Sequence, residues 1–235
     1  WAAWSIATNS LGGIFVPLYQ NQNENYVYHI IEDCDPKLFI TNNVYKNVNI
    51  FNDYIEDINS NEVVPVEPKS DISKLIYTSG TTGRPKGVML THDNIIHNIQ
   101  NIEKRFHDLR NEREYTTLSI LPWAHIYGLT TELYYNMLNN NKIAISSGPE
   151  QFVKEIGEIQ PDLLYLVPRV LQMIKKKIEF LDKPLIRCIL PLILKKIFGR
   201  NLLTIFIGGS QLDVATKNFY NNHNIIICEG YGCTE

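Results

Sequence analysis

At 235 residues, with 44% hydrophobic and 20% charged positions, the composition is that of a globular chain and excludes a disordered tail or a membrane bundle. A net charge of −3 and a pI near 6.1 exclude the bulk cationic surface expected of a nucleic-acid binder. Cys34, Cys188, Cys228 and Cys233 are scattered, with neither zinc-site pairing nor the density of a disulfide framework, which points to a reducing compartment.

Short β-rich runs alternate with helical patterns, so the expected class is α/β, with largely parallel sheets flanked by helices. In chain order, a strand is expected at 14–18, a helix at 24–32 and a strand at 37–41. The polar stretch 59–71, with Pro65 and Pro68, reads as a connector into a strand at 74–78. Beyond Thr91, the expected N-cap, Ile95, Ile96, Ile99, Ile102 and Phe106 recur at helical spacing. Further strands are expected at 117–121, 142–146, 163–166, 203–207 and 224–228, and further helices at 130–138, 150–159, 167–181 and 213–220. Asn-rich stretches at 21–25, 139–141 and 221–224 mark loops. The apolar run 185–194 contains Arg187 and Pro191 and falls short of the roughly 20 residues that cross a bilayer.

The most informative motif is YTSGTTGRPKG, from Tyr77 to Gly87, directly after an apolar strand. Gly80, Gly83 and Gly87 let backbone approach a ligand, and the hydroxyls of Thr78, Ser79, Thr81 and Thr82 can donate to phosphate oxygens. Lys86 adds a mobile point charge suited to polyphosphate. Pro85 stands where a Walker A loop has its last glycine, so the ordinary P-loop mechanism is not indicated. Three further segments have site character. LPWAHIYG (121–128) delivers His125 from a strand end, IGGSQLD (207–213) places Gly208 and Gly209 between a strand and a helix, and GYGCTE closes the chain. In that last segment Gly230 and Gly232 allow close approach, Thr234 can donate to phosphate and Glu235 can hold a hard cation. Taken singly, each of the three also reads as an ordinary turn.

Together these segments resemble the adenylate-forming enzymes, which include acyl-CoA synthetases, aryl-CoA ligases, luciferases and peptide-synthetase adenylation domains. YTSGTTGRPKG is similar to the family's phosphate loop almost residue for residue, and WAAWSIATNSLGGIFVPLY to its helix and strand ending in a VPLY-type sequence. The resemblance implies that Thr78, Ser79, Gly80, Thr81, Thr82, Gly83 and Lys86 bind ATP, and that Gly208, Gly209, Gly230, Tyr231, Gly232 and Thr234 line the adenylate site. It places Tyr231 against the adenine, Thr234 at the α-phosphate, His125 by the acyl carboxylate, and Thr78 with Glu235 on Mg²⁺. Lys86, His125 and Glu235 are the expected catalytic set. Ser210, Gln211 and Leu212 depart from the family's usual residues after the paired glycines.

Amino-acid-activating relatives carry an acidic residue within the motif that reads LPWAHIYG here, and this one has none. An uncharged acid is therefore the expected substrate, because a desolvated ammonium would lack a counter-charge. VPRV at 167–170 is similar to the long-chain acyl-CoA synthetases, which implies a fatty acid, ATP and CoA as partners; a medium-chain or aryl-CoA ligase, a luciferase-like enzyme, or a non-catalytic nucleotide- or lipid-binding module stay open. The resemblance also implies that these residues are the central part of the large domain, with the C-terminal domain bearing the catalytic lysine outside them. The chain begins at Trp1 rather than Met, so the natural N-terminus is expected upstream. The expected location is cytoplasmic, or the cytosolic face of a membrane such as the endoplasmic reticulum. Basic residues interleaved with Leu and Ile between Arg169 and Arg200 suit either an anionic membrane or a plain solvated helical face.

Overall fold

The computed structural model describes residues 1–41, 50–51, 70–79, 84–106, 113–184 and 186–235. They form two compact units, one of residues 1–92 with Glu235 and one of residues 93–234. Most of the expected connector at 59–71 lies outside the described residues.

The first unit holds helices α1 (Ala2–Ser10) and α2 (Glu24–Cys34), short parallel strands β1 (Phe39–Ile40) and β2 (Ile50–Phe51), and an antiparallel pair, β3 (Ile72–Ser79) with β4 (Pro85–Thr91). Asn23 caps α2, its side chain accepting from the Asn25 N–H at 2.9 Å. The strand expected at 14–18 is reduced to one parallel bridge, Phe15 to Lys74. Pro17, two residues on, has no N–H to continue a ladder. Strand β4 is a second departure, because GRPKG has the composition of a turn yet Pro85 opens a strand, a position where its missing donor is tolerated. Two side-chain contacts tie the pair to α2: the Tyr77 hydroxyl donates to Asp33 at 2.5 Å, and His29 Nε2 lies 3.3 Å from the Pro85 carbonyl. Lys74 is fully buried, donates to the side chains of Asn9 and Ser73, and has its pKa lowered to about 8 by burial.

The second unit is built on a five-stranded parallel sheet in the order β6-β5-β7-β8-β9. Its strands are β5 (Thr116–Ser119), β6 (Lys142–Ile145), β7 (Leu163–Leu166), β8 (Thr204–Ile207) and β9 (Ile227–Glu229). The central strand β7 is buried along its whole length, as expected of a parallel strand covered on both faces. Leu164 and Leu166 enter one core, shared with α5 (Phe152–Ile159), α6 (Pro168–Ile178), α7 (Leu190–Phe198) and α8 (Val214–Asn221). Leu163 and Tyr165 point the other way, into a core shared with Ile95 and Ile99 of α3 (His92–Phe106) and with Tyr135 of α4 (Tyr135–Leu138).

In the second unit the element types follow the sequence periodicity, although the strand expected at 224–228 is observed at 227–229, and three further differences are informative. The helix expected at 130–138 starts two residues earlier, and residues 128–134 wind as a π-helix before α4, a geometry frequent near functional sites. Helix α7 was not anticipated because Pro191 interrupts the apolar run, yet proline sits in the first turn, where no intrahelical N–H is needed. The helix expected at 213–220 begins one residue later because Asp213 is its N-cap, accepting from the Thr216 N–H at 2.7 Å. Asn140 and Asn224, in two of the Asn-rich loops, take left-handed φ values of 53° and 62°, which asparagine tolerates better than most residues. Among the described residues no helix is long and apolar enough to cross a membrane.

Candidate functional site

The sheet order changes direction at β5, which has β6 on one side and β7 on the other. Crevices outside the carboxyl ends of parallel strands near such a switch are the usual ligand positions of open α/β sheets. In the second unit a cavity of about 290 Å³ lies there. It brings together three of the motifs: His125 and Tyr127 after β5, Gly208 and Gly209 after β8, and residues 230–234 after β9. Its apolar wall is aromatic: Phe206 stacks on Tyr165 at 5.1 Å between ring centroids and meets the edge of Phe106 at 4.5 Å. Among the described lining residues Glu229 is the one acid, and its Oε1 accepts from Lys217 Nζ at 2.7 Å.

Tyr127 fastens two of the motifs to each other. Its hydroxyl donates to the Phe206 carbonyl at 3.0 Å, and its ring lies flat against Gly208, where a Cβ would come within 2.9 Å of the ring. Gly209 follows with φ of 81°, a conformation side-chain-bearing residues rarely adopt. His125 is half-buried, and burial lowers its pKa. Its Nδ1 accepts from the Tyr127 N–H at 3.1 Å, so the neutral ring carries its proton on Nε2. The His125 imidazole is thereby set up as a donor from Nε2.

Behind this loop stands Glu132, fully buried in the π-helix. Its carboxylate accepts from the Ser119 hydroxyl and from the backbone N–H groups of Ile120 and Leu121 at 3.1 Å, and Trp123 Nε1 donates to the same Ser119 hydroxyl at 3.0 Å. Burial pushes the Glu132 pKa up to about 7 against the pull of those hydrogen bonds. The residue therefore secures the end of β5, from which the His125 loop departs.

In the first unit, Thr78 and Lys86 are direct cross-strand partners, as are Ser79 and Pro85. Lys86 is exposed and Thr78 half-buried. Gly80, Thr81, Thr82 and Gly83 lie outside the described residues. Gly87 faces side chains rather than open space: a Cβ there would meet Leu75 at 2.9 Å and Tyr77 at 3.2 Å, so this glycine serves strand packing, not the ligand approach expected of it. Thr234 is half-buried, while Tyr231 and Glu235 are exposed.

The profile of a family described as AMP-binding enzyme matches residues 1–235. The chain belongs to that family. A long-chain-fatty-acid–CoA ligase of Bacillus subtilis (strain 168) is 44% identical over 107 residues, which cover 45% of this chain and 19% of the relative. A probable 4-coumarate–CoA ligase 1 of Dictyostelium discoideum is 28% identical over 181 residues, 74% of this chain and 30% of the relative. The fold is similar to that of a solved malonyl-CoA ligase with methylmalonyl-CoA and AMP bound, with a TM-score of 0.76 at 18% identity over 98% of this chain and 49% of that one. The chain thus spans about half the length of that structure, and the matched stretches span under a third of either curated relative.

Residues of LPWAHIYG, IGGSQLD and GYGCTE meet at this cavity, while residues 80–83 of YTSGTTGRPKG lie outside the described residues. The parts that sequence reading missed are Glu132, Tyr165 and Phe206. Tyr165 and Phe206 sit in ordinary apolar strands, and the only signal for Glu132 was a single acid within the run GLTTELYY.

Proposed function

We propose that the chain is the nucleotide- and acid-binding part of an ATP-dependent acid–CoA ligase acting on long-chain fatty acids. In the first step a carboxylate oxygen attacks the α-phosphorus of ATP and pyrophosphate leaves, giving an acyl-adenylate. In the second, the CoA thiolate attacks the acyl carbon and expels AMP.

The single observation that carries this reading is the cavity, where His125, Gly208, Gly209 and Thr234 share one aromatic-walled space whose one lining acid is engaged by Lys217. An ammonium on the substrate would find no uncommitted carboxylate among those residues, whereas an alkyl chain would find Phe106, Phe206 and Tyr165. The Nε2–H of His125 is suited to donate to the acyl carboxylate and orient it. Thr234 is suited to the α-phosphate, and Tyr231 at the rim to the adenine. Lys86, with the hydroxyls of Thr78, Ser79, Thr81 and Thr82, would neutralise the leaving pyrophosphate.

The donor set fits Mg²⁺, a hard cation that takes one or two protein oxygens and completes its shell with phosphate oxygens and water. The Thr78 hydroxyl and the Glu235 carboxylate would hold it. When bound it supplies charge neutralisation on the phosphates. The 44% identity to a long-chain ligase supports the fatty-acid choice, and the 28% identity to a coumarate ligase makes aryl acids the comparison to run.

ATP–pyrophosphate exchange by the full-length protein, with fatty acids of graded length, 4-coumarate and a set of amino acids, tests the proposal. Exchange is expected with long-chain acids first. Exchange with amino acids alone would overturn it.

A further inference from the structure

Helices α6 and α7 cover the same face of the parallel sheet. Leu171, Ile174 and Ile178 of α6 and Leu190, Leu194 and Phe198 of α7 all enter the one core. With one turn per 3.6 residues, the opposite side of α6 presents Arg169, Met173 and Lys176, with Lys177 on its flank and Phe180 continuing the line; the opposite side of α7 presents Leu192 and Lys196, with Lys195 on its flank. All of these are exposed, Met173 to 54%, Phe180 to 59% and Leu192 to 68%. Residues 169–200 hold nine Lys and Arg against two Asp and Glu, a local charge of +7 in a chain of net −3, which leaves −10 for everything else. One of the two acids, Glu179, is engaged by Lys175 at 3.5 Å.

We propose that this outward face of α6 and α7 docks on the headgroup region of an anionic lipid bilayer. Neither half of the pattern explains the other. A plain solvated face needs the lysines but not large apolar side chains between them, and a nucleic acid would likewise draw on the cations alone. The core of a protein–protein interface favours the apolar residues but is depleted in lysine. A bilayer interface uses both, with apolar side chains entering the acyl boundary while long basic side chains reach the headgroups around them. The inference does not depend on which acid the enzyme activates.

The test is flotation of the full-length protein with vesicles of phosphatidylcholine alone and of phosphatidylcholine with one third phosphatidylserine. Two variants are compared with wild type: Lys176→Gln/Lys177→Gln/Lys195→Gln/Lys196→Gln, and Met173→Ser/Phe180→Ser/Leu192→Ser. Wild type is expected to float with the phosphatidylserine vesicles only. The lysine variant should lose about a hundredfold or more in partitioning, the apolar variant should also lose binding, and both should keep wild-type thermal unfolding and pyrophosphate exchange. If the apolar variant misfolds, Leu192→Ser alone serves in its place. Absence of wild-type binding, binding unchanged in both variants, a loss confined to the lysine variant with equal retention on heparin, or self-association that the apolar variant abolishes would each overturn the proposal.

Discussion

Thr78 and Lys86 stand directly opposite each other across the antiparallel pair β3–β4, which places a hydroxyl and a cation on one face at the two bases of the glycine-rich loop. The position of Lys86 is therefore set by strand register. Lys86→Ala should raise the KM for ATP in the full-length protein by roughly ten- to a hundredfold, the range for one charged hydrogen bond, with a smaller effect on the KM for the acid. Steady-state kinetics with ATP and acid varied in turn checks it.

With Glu235 proposed to hold Mg²⁺, Glu235→Gln should shift the Mg²⁺ titration of pyrophosphate exchange to higher concentration. A titration that superimposes on wild type would remove the assignment.

Glu132 gives a pH dependence with a definite sign. Its folded pKa is raised by burial to about 7 from 4.5, so between those values the folded state holds more protons than the unfolded one. Stability should accordingly fall as pH rises from about 4.5 to 7, by an amount on the order of 3 kcal/mol for a shift of this size. Glu132→Gln, which cannot ionise, should flatten that part of the curve. Denaturant unfolding of both proteins at graded pH measures the difference.

Gly208→Ala is expected to disturb the site without removing any functional group. The new Cβ would meet the Tyr127 ring at 2.9 Å, forcing it away and loosening its hydroxyl from the Phe206 carbonyl. Overpacking of this kind costs roughly 1–3 kcal/mol. A lower melting temperature with reduced exchange activity is expected, and wild-type values for both would show that the Tyr127 contact is dispensable.

How much of this was legible in the sequence depended on whether a signal was local. Strand β7 was read at its observed bounds because its four consecutive apolar residues follow Pro161 and Asp162 and are closed two residues on by Pro168. The motif YTSGTTGRPKG was equally plain, whereas LPWAHIYG, IGGSQLD and GYGCTE, each readable alone as an ordinary turn, gained weight only as a set. Strand β4 was hidden because Arg84, Pro85 and Gly87 have turn chemistry, and only pairing with β3 overrides it. Glu132 was hidden for a different reason. Its partners at Ser119, Ile120 and Leu121 are reached only because the π-helix turns that side chain back toward the end of β5, and no periodicity in the sequence encodes that turn. Tyr165 and Phe206 gained their place in the site from neighbouring strands of a sheet whose order could not be read from one sequence.

In the proposed reaction the acid is activated by bonding its own oxygen to the α-phosphorus of ATP. The most direct test uses a fatty acid labelled with ¹⁸O in its carboxylate, turned over by the full-length protein with ATP and CoA, and mass spectrometry of the nucleotide released. The account predicts AMP carrying one ¹⁸O. Nucleotide released as ADP, or AMP free of label alongside labelled phosphate, would contradict it.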